Sequence, residues 1–241
     1  MPLIVHLEEN MIKNLYITIV FLCICFGVSA QKTSDSLQLK FNLKFDHLPL
    51  ELHKAYSTIT KDTLTLDTFK CYISAIEIQY TDHTQFKERD SYHLLDIETS
   101  NSLVLPLPIN NSKKVSRILF TVGIDSLTNT SGALDGDLDP TKGMYWAWQS
   151  GYINFKIEGK SSSCKTRKNE FQFHIGGYLP PYSSIRRIEL SPTKNETIQT
   201  ITIDLNTFFS KVSLAQINQV MIPGKNAIEL ADYFAKSFTL E

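Results

Sequence analysis

Apolar residues recur at every second position through residues 34–46, SDSLQLKFNLKFD, where Leu37, Leu39, Phe41, Leu43 and Phe45 alternate with polar neighbours. A period of two predicts a strand with one face buried, ended by His47-Leu48-Pro49-Leu50. Residues 69–80, FKCYISAIEIQY, predict a second long strand, with Cys71, Ile73 and Ala75 on one parity and Tyr72, Ser74, Ile76 and Ile78 on the other. Shorter strands are expected at 92–97, 103–107 and 115–124. Residues 125–143, dense in Asp, Asn, Ser, Thr and Gly, read as a long ordered loop. Strand patterns resume at 152–157, 170–175, 185–190 and 198–205, punctuated by Pro180-Pro181 and Ser191-Pro192. Near the end, Asn226 stands three residues before Glu229, and Ile228, Ala231, Phe234, Ala235 and Phe238 fall on one helical face. The expected fold is mainly β: an antiparallel β-sandwich or open barrel with long ordered loops and a short C-terminal helix. No internal repeat or linker divides residues 31–241, so they form one domain.

The first thirty residues stand apart from that pattern. From Met11 the chain shows a basic start at Lys13, an apolar run from Leu15 to Val28, and the small-residue exit Val28-Ser29-Ala30. This is the secretory pattern, so residues 1–30 read as a signal peptide with Met11 as the expected true start and Gln31 as the mature start. The apolar run is short for a retained membrane span. The mature protein is therefore expected to be periplasmic or secreted, with no stable membrane span. Removal of the signal takes Cys23 and Cys25 with it and leaves Cys71 and Cys164. In an oxidising compartment these form either one disulfide closing a long loop or two unpaired thiols.

Charge and motif narrow the chemistry. With a formal net charge of −1, the chain lacks the basic excess of a nucleic-acid binder. It carries no G-x-S-x-G, P-loop, H-E-x-x-H or dinucleotide fingerprint, so an enzyme is the least supported class. The turn at 134–140 sets Asp135, Asp137 and Asp139 at alternate positions, as a calcium loop begins, but Pro140 and Trp146 stand where an EF-hand needs glycine and glutamate. It is read as a solvated Asx-rich turn, with a hard-cation loop as the alternative. His47, His53, His83, His93 and His174 show no H-x-H or H-x₃-H spacing, so the fold must assemble any metal site. His174 stands out between alternating Phe171 and Phe173 and the Gly176-Gly177 pair; His47, at the exit of the first strand, is second.

Both tryptophans of the chain, Trp146 and Trp148, lie in GMYWAWQSGYINFKIEG, residues 143–159. On a strand, side chains two apart share a face, so the indoles are expected side by side. The run Val122-Gly123-Ile124-Asp125, Gly132-Ala133-Leu134, the W-x-W-x-S-G-Y segment, Lys156-Ile157-Glu158-Gly159 and Phe173-His174-Ile175-Gly176 resembles the MbnP-like family of exported copper-binding proteins. Tyr72-Ile73-Ser74, Tyr92-His93-Leu94-Leu95-Asp96 and Ala231-Asp232 extend the resemblance over nearly the whole mature chain. It implies a β-rich domain that binds copper, in characterised relatives after a haem enzyme of the diheme peroxidase type has oxidised a tryptophan to kynurenine. The opened ring exposes an aniline nitrogen, whereas an indole nitrogen has no free lone pair. The metal ligand the resemblance implies is His174, and Trp146 or Trp148 is the oxidisable residue; His47 stays a second ligand candidate on its position alone. Two departures are plain: the better-studied relatives carry four cysteines in the exported domain, and this chain lacks clustered Met or His. The alternatives are a non-metal, surface-interaction module using Tyr145, Trp146, Trp148 and Tyr152 as an aromatic platform, or an aromatic plug of those residues beneath the long loop, with His174 hydrogen-bonded to backbone.

Overall fold

A computed structural model describes residues 36–59, 61–110, 113–149 and 151–241. The expected signal peptide lies outside the described residues. In chain order the strands are β1 (Ser36–Phe45), β2 (Leu48–Pro49), β3 (Ala55–Ser57), β4 (Thr63–Tyr80), β5 (Gln85–Lys87), β6 (Tyr92–Asp96), β7 (Val104–Asn110) and β8 (Val115–Val122). Then come helix α1 (Ser126–Thr130), β9 (Tyr145–Trp146), β10 (Gly151–Ser161), β11 (Glu170–Gly176), β12 (Arg186–Leu190), β13 (Ile198–Asp204), α2 (Leu205–Phe209), β14 (Gln219–Val220), α3 (Lys225–Ala235) and β15 (Phe238–Leu240). No described helix is long and apolar enough to cross a membrane.

Two sheets enclose one core. The smaller runs β15-β13-β1-β2, with β7 also on β1; the larger runs β12-β8-β4-β10-β11-β14, with β3, β5 and β6 on β4. The alternating residues of β1 point inward, Leu37, Leu39 and Phe41 all being buried. They meet the larger sheet through contacts such as Phe41 against Phe120, ring centroids 6.0 Å apart. Phe155, Phe208 and Phe234 close the core beneath the helices, Phe155 stacking on Phe234 at 4.3 Å. The sheets are mainly antiparallel, as the alternation predicts. The exceptions are β1 with β13 and β11 with β14, which pair in parallel.

Strand β4 carries two partners in succession: its first half, Leu64 to Cys71, pairs β10 and its second, Ile73 to Tyr80, pairs β8. Where those partners part, the Asn154 side chain fills the space. Its Oδ1 accepts from the Ile124 backbone N–H at 3.1 Å and its Nδ2 donates to Ser184 Oγ at 2.9 Å. Gly123, at φ +113°, makes room: a Cβ there would lie 2.5 Å from Asn154 Cγ. Asn129 joins the same fork, accepting from Tyr152 N–H at 2.7 Å and donating to Ile124 O at 2.8 Å.

Three expectations need correction. The C-terminal helix begins at Gly224 without a side-chain cap, placing Asn226 inside it, and it buries Ala227, Leu230, Ala231 and Phe234. The buried face is therefore rotated from the one expected, and Phe238 leaves the helix for β15. The long loop contains α1 and two 3₁₀ turns, Gly136–Leu138 and Pro140–Lys142. Finally, Cys71 and Cys164 are separate buried thiols, not a disulfide. Cys71 faces Phe155 in mid-sheet, whereas Cys164 lies in the turn beyond Ser161, which pairs Leu64. Seven residues of strand separate Leu64 from Cys71, roughly 24 Å at about 3.4 Å per residue. A disulfide needs Cα atoms about 4.4–6.8 Å apart.

Candidate functional site

The outer face of the larger sheet is covered by the segment running from α1 to β9. Beneath it a second apolar cluster forms from Tyr72, Leu94, Ile124, Leu138, Met144, Trp146, Tyr152 and Ile153, separate from the main core. Tyrosine hydroxyls fasten the loop from below. Tyr72 donates to Asp137 O at 2.9 Å, and the Tyr152 hydroxyl accepts from Leu134 N–H at 3.0 Å. Burial pushes the Tyr72 hydroxyl well above its ordinary pKa, so it serves as a neutral donor. Lys70 and Lys156 reach up from the sheet to the carbonyls of Lys142 and Gly143, at 3.4 and 3.2 Å.

The tryptophan segment is a tight hairpin. Only Tyr145 and Trp146 are strand, with Trp146 opposite Gly151, and Ala147 to Gln149 form a turn. The expected strand alternation therefore stops at Trp146, yet the two rings still meet, centroids 5.7 Å apart and tilted by 43°. Trp146 is 6% exposed and Trp148 is 65% exposed. Tyr145 packs edge-on against Tyr152 at 5.0 Å, and Tyr152 edge-on against Tyr72 at 5.9 Å. The aromatic plug exists, built from Tyr145, Trp146 and Tyr152; Trp148 stands outside it.

His174 lies on the same outer face. Phe171, Phe173 and Ile175 of β11 enter the main core, so the two-residue repeat turns His174 and Gly176 the other way. The six-membered ring of Trp146 lies over Gly176, which places the indole beside His174. His174 is 8% exposed, and its Nε2 is 2.6 Å from Glu158 Oε1. Its directly opposite neighbour on β10 is Lys156, while Glu158 is diagonal. The hydrogen bond from His174 holds the Glu158 carboxyl below its ordinary pKa, against the opposing effect of burial. His174 is thus bonded to a carboxylate rather than to backbone.

The other expected residues lie elsewhere. His47 sits in the β1–β2 turn of the smaller sheet with its ring 94% exposed, and no hydrogen bond links it to His174. Asp137 is bound to Lys142 at 2.6 Å and accepts from Leu94 N–H at 3.0 Å, and Asp139 caps Thr141. Those two carboxylates shape the loop. Among the described residues no three His, Cys, Asp or Glu side chains gather as a metal site. The donor chemistry near Trp146 fits copper as one imidazole ligand with a supporting carboxylate. Glu158 was quoted with the motif Lys156-Ile157-Glu158-Gly159 but was not read as part of the site, because its partnership with His174, sixteen residues away, depends on the register between β10 and β11.

Two mainly antiparallel sheets, the larger covered on its outer face by the loop that carries the tryptophans, define a mainly β domain. The MbnP family model matches residues 34–222, and the chain belongs to the MbnP family. A solved structure of MbnP from Methylosinus trichosporium is similar in fold, with a TM-score of 0.58 at 14% sequence identity, covering 78% of this chain and 82% of that one. No curated protein matches the sequence significantly.

Proposed function

We propose that this member of the MbnP family is an exported, periplasmic or secreted copper-binding protein whose site centres on His174. The observation that carries the reading is the buried His174–Glu158 pair beside Trp146, with Trp148 tilted against that indole and open to solvent. One imidazole alone is a weak copper site, so a further nitrogen is needed. Oxidation of a tryptophan to kynurenine by a haem enzyme of the diheme peroxidase type supplies it in chemical principle. The exposure of Trp148 favours it over Trp146 as the residue such an enzyme reaches. The protein acts as a binder of the metal, not as a catalyst.

The test compares protein recovered from its native compartment with protein made in the cytoplasm of a host lacking the oxidising enzyme. Intact mass and peptide mapping report signal cleavage and any tryptophan oxidation, and a competition titration reports copper affinity. The expected result is oxidation at Trp148, and affinity reduced by roughly tenfold or more in His174→Ala. Equal affinity in the variant would remove His174 from the site. The exposed Trp148 ring also favours a second reading, a surface-interaction module, and unmodified native protein that binds no copper would support it.

A further inference from the structure

The bonding of His174 is one-sided. Nε2 is 2.6 Å from Glu158 Oε1, while Nδ1 has no hydrogen-bond partner among the described residues, although His174 is more than nine-tenths buried. An ionised carboxylate only accepts, so the proton of this hydrogen bond belongs to Nε2, and a neutral imidazole then carries its lone pair on Nδ1. Competition for His174 from its direct neighbour is absent, because the Lys156 ammonium is turned away to Gly143 O at 3.2 Å. Glu158 itself stands on β10, which is paired by β4 on one edge and β11 on the other. Long side chains reach diagonal cross-strand partners, and a doubly paired strand holds the carboxylate still.

We infer that Glu158 is a positioning residue: it keeps the His174 proton on Nε2 and leaves Nδ1 as the one nitrogen of that ring available to a ligand. Buried histidines that bind metals commonly donate their other ring N–H to a carboxylate, which fixes the ring and raises its basicity. The tautomer assignment stands on the geometry of the metal-free chain, and only its consequence for copper rests on the function proposed above.

Long-range ¹H–¹⁵N correlation on metal-free protein at mildly alkaline pH tests it directly. The expected result is a downfield His174 Nε2–H resonance protected from exchange, retained in Glu158→Gln, which keeps a carbonyl acceptor, and lost in Glu158→Leu. Near-ultraviolet circular dichroism confirms that the variants fold, and the wild-type spectrum decides the tautomer even where a variant does not. A proton on Nδ1 in the wild type, or an unchanged Nε2–H signal in folded Glu158→Leu, overturns the inference. With Cu(I) added to protein from its native compartment, the Nε2–H signal persists, and Glu158→Leu loses roughly tenfold or more in affinity. Replacement of the Nε2–H signal by copper also overturns it. Protein that takes up no copper yet shows the protected Nε2–H refutes the copper function and supports the positioning role.

Discussion

The Trp146 indole occupies the space where Gly176 would carry a side chain: a Cβ built on that glycine lies 2.7 Å from Trp146 Cζ3 and 2.7 Å from the Tyr152 carbonyl oxygen. A ring cannot retreat from a methyl group while backbone closes the other side. Gly176→Ala should therefore unseat Trp146 and destabilise the fold by about 1–3 kcal/mol, within the range of overpacking in a filled core. Urea denaturation with tryptophan fluorescence as the probe measures both effects, and an unaltered midpoint and emission spectrum would show that the indole sits elsewhere.

The two tryptophans should separate sharply in stability. Trp146 is buried in the second apolar cluster, so Trp146→Ala is expected to cost about 3–5 kcal/mol. Trp148 projects from a turn, and Trp148→Ala should change stability by about 0.5 kcal/mol or less. Thermal melts of the two variants check this; comparable losses would mean that Trp148 belongs to the plug.

Cys71 and Cys164 should each take up one alkyl group in denaturant without any reductant, and reductant should leave the melting temperature of the native protein unchanged. Burial pushes the Cys71 thiol far above its ordinary pKa, leaving almost no thiolate at neutral pH, so alkylation of the native protein should be slow there. Mass spectrometry counts the adducts, and the absence of adducts before reduction would establish a bridge.

Acid should weaken the smaller sheet through Glu241. Its carboxylate accepts from Lys44 Nζ and the Thr202 hydroxyl, both at 2.6 Å, and these bonds lower its pKa from 4.5 to about 2. The folded-state value is depressed, so the contribution is complete above about 4.5 and is lost as the pH falls towards about 2. The side chain is 40% exposed, which keeps the effect below about 1 kcal/mol. Stability measured across that window should fall less in Glu241→Gln than in the wild type; parallel curves would remove Glu241 from the acid response.

Local periodicity made much of the fold legible. The alternation of Leu37 to Phe45 appears as β1 with those residues inward, and the strand expected at 170–175 appears as β11, with Phe171 and Phe173 inward. It failed where a partner decides the outcome. The parallel pairing of Gln38 with Ile198 joins segments far apart in the chain, and no short window contains that information. At the C-terminus, helix α3 buries Leu230 rather than Ile228, because the phenylalanines of β10 and α2 lie on that side. His174 and the tryptophans were visible as unusual residues in a familiar order. Glu158 stood in the same order, in Lys156-Ile157-Glu158-Gly159, but its role did not show, because a carboxylate on a strand looks like any solvated residue until the neighbouring strand supplies its partner.

By itself, the sequence determined the body of the longer strands, which residues of β1 alternate inward, and the motif order shared with the MbnP family, while the start of β4 at Thr63 and the short strands β2, β3, β5, β14 and β15 were not visible in it. What it determined depends on neighbours within a few positions or on the linear order of residues. The tertiary structure alone decided that Cys71 and Cys164 stand apart, that Trp146 is covered while Trp148 is not, and that His174 gives one nitrogen to Glu158 and keeps the other free. Those outcomes depend on register between strands and on what packs over each face, and cross-strand contact carries no signature in the linear spacing of the residues it joins.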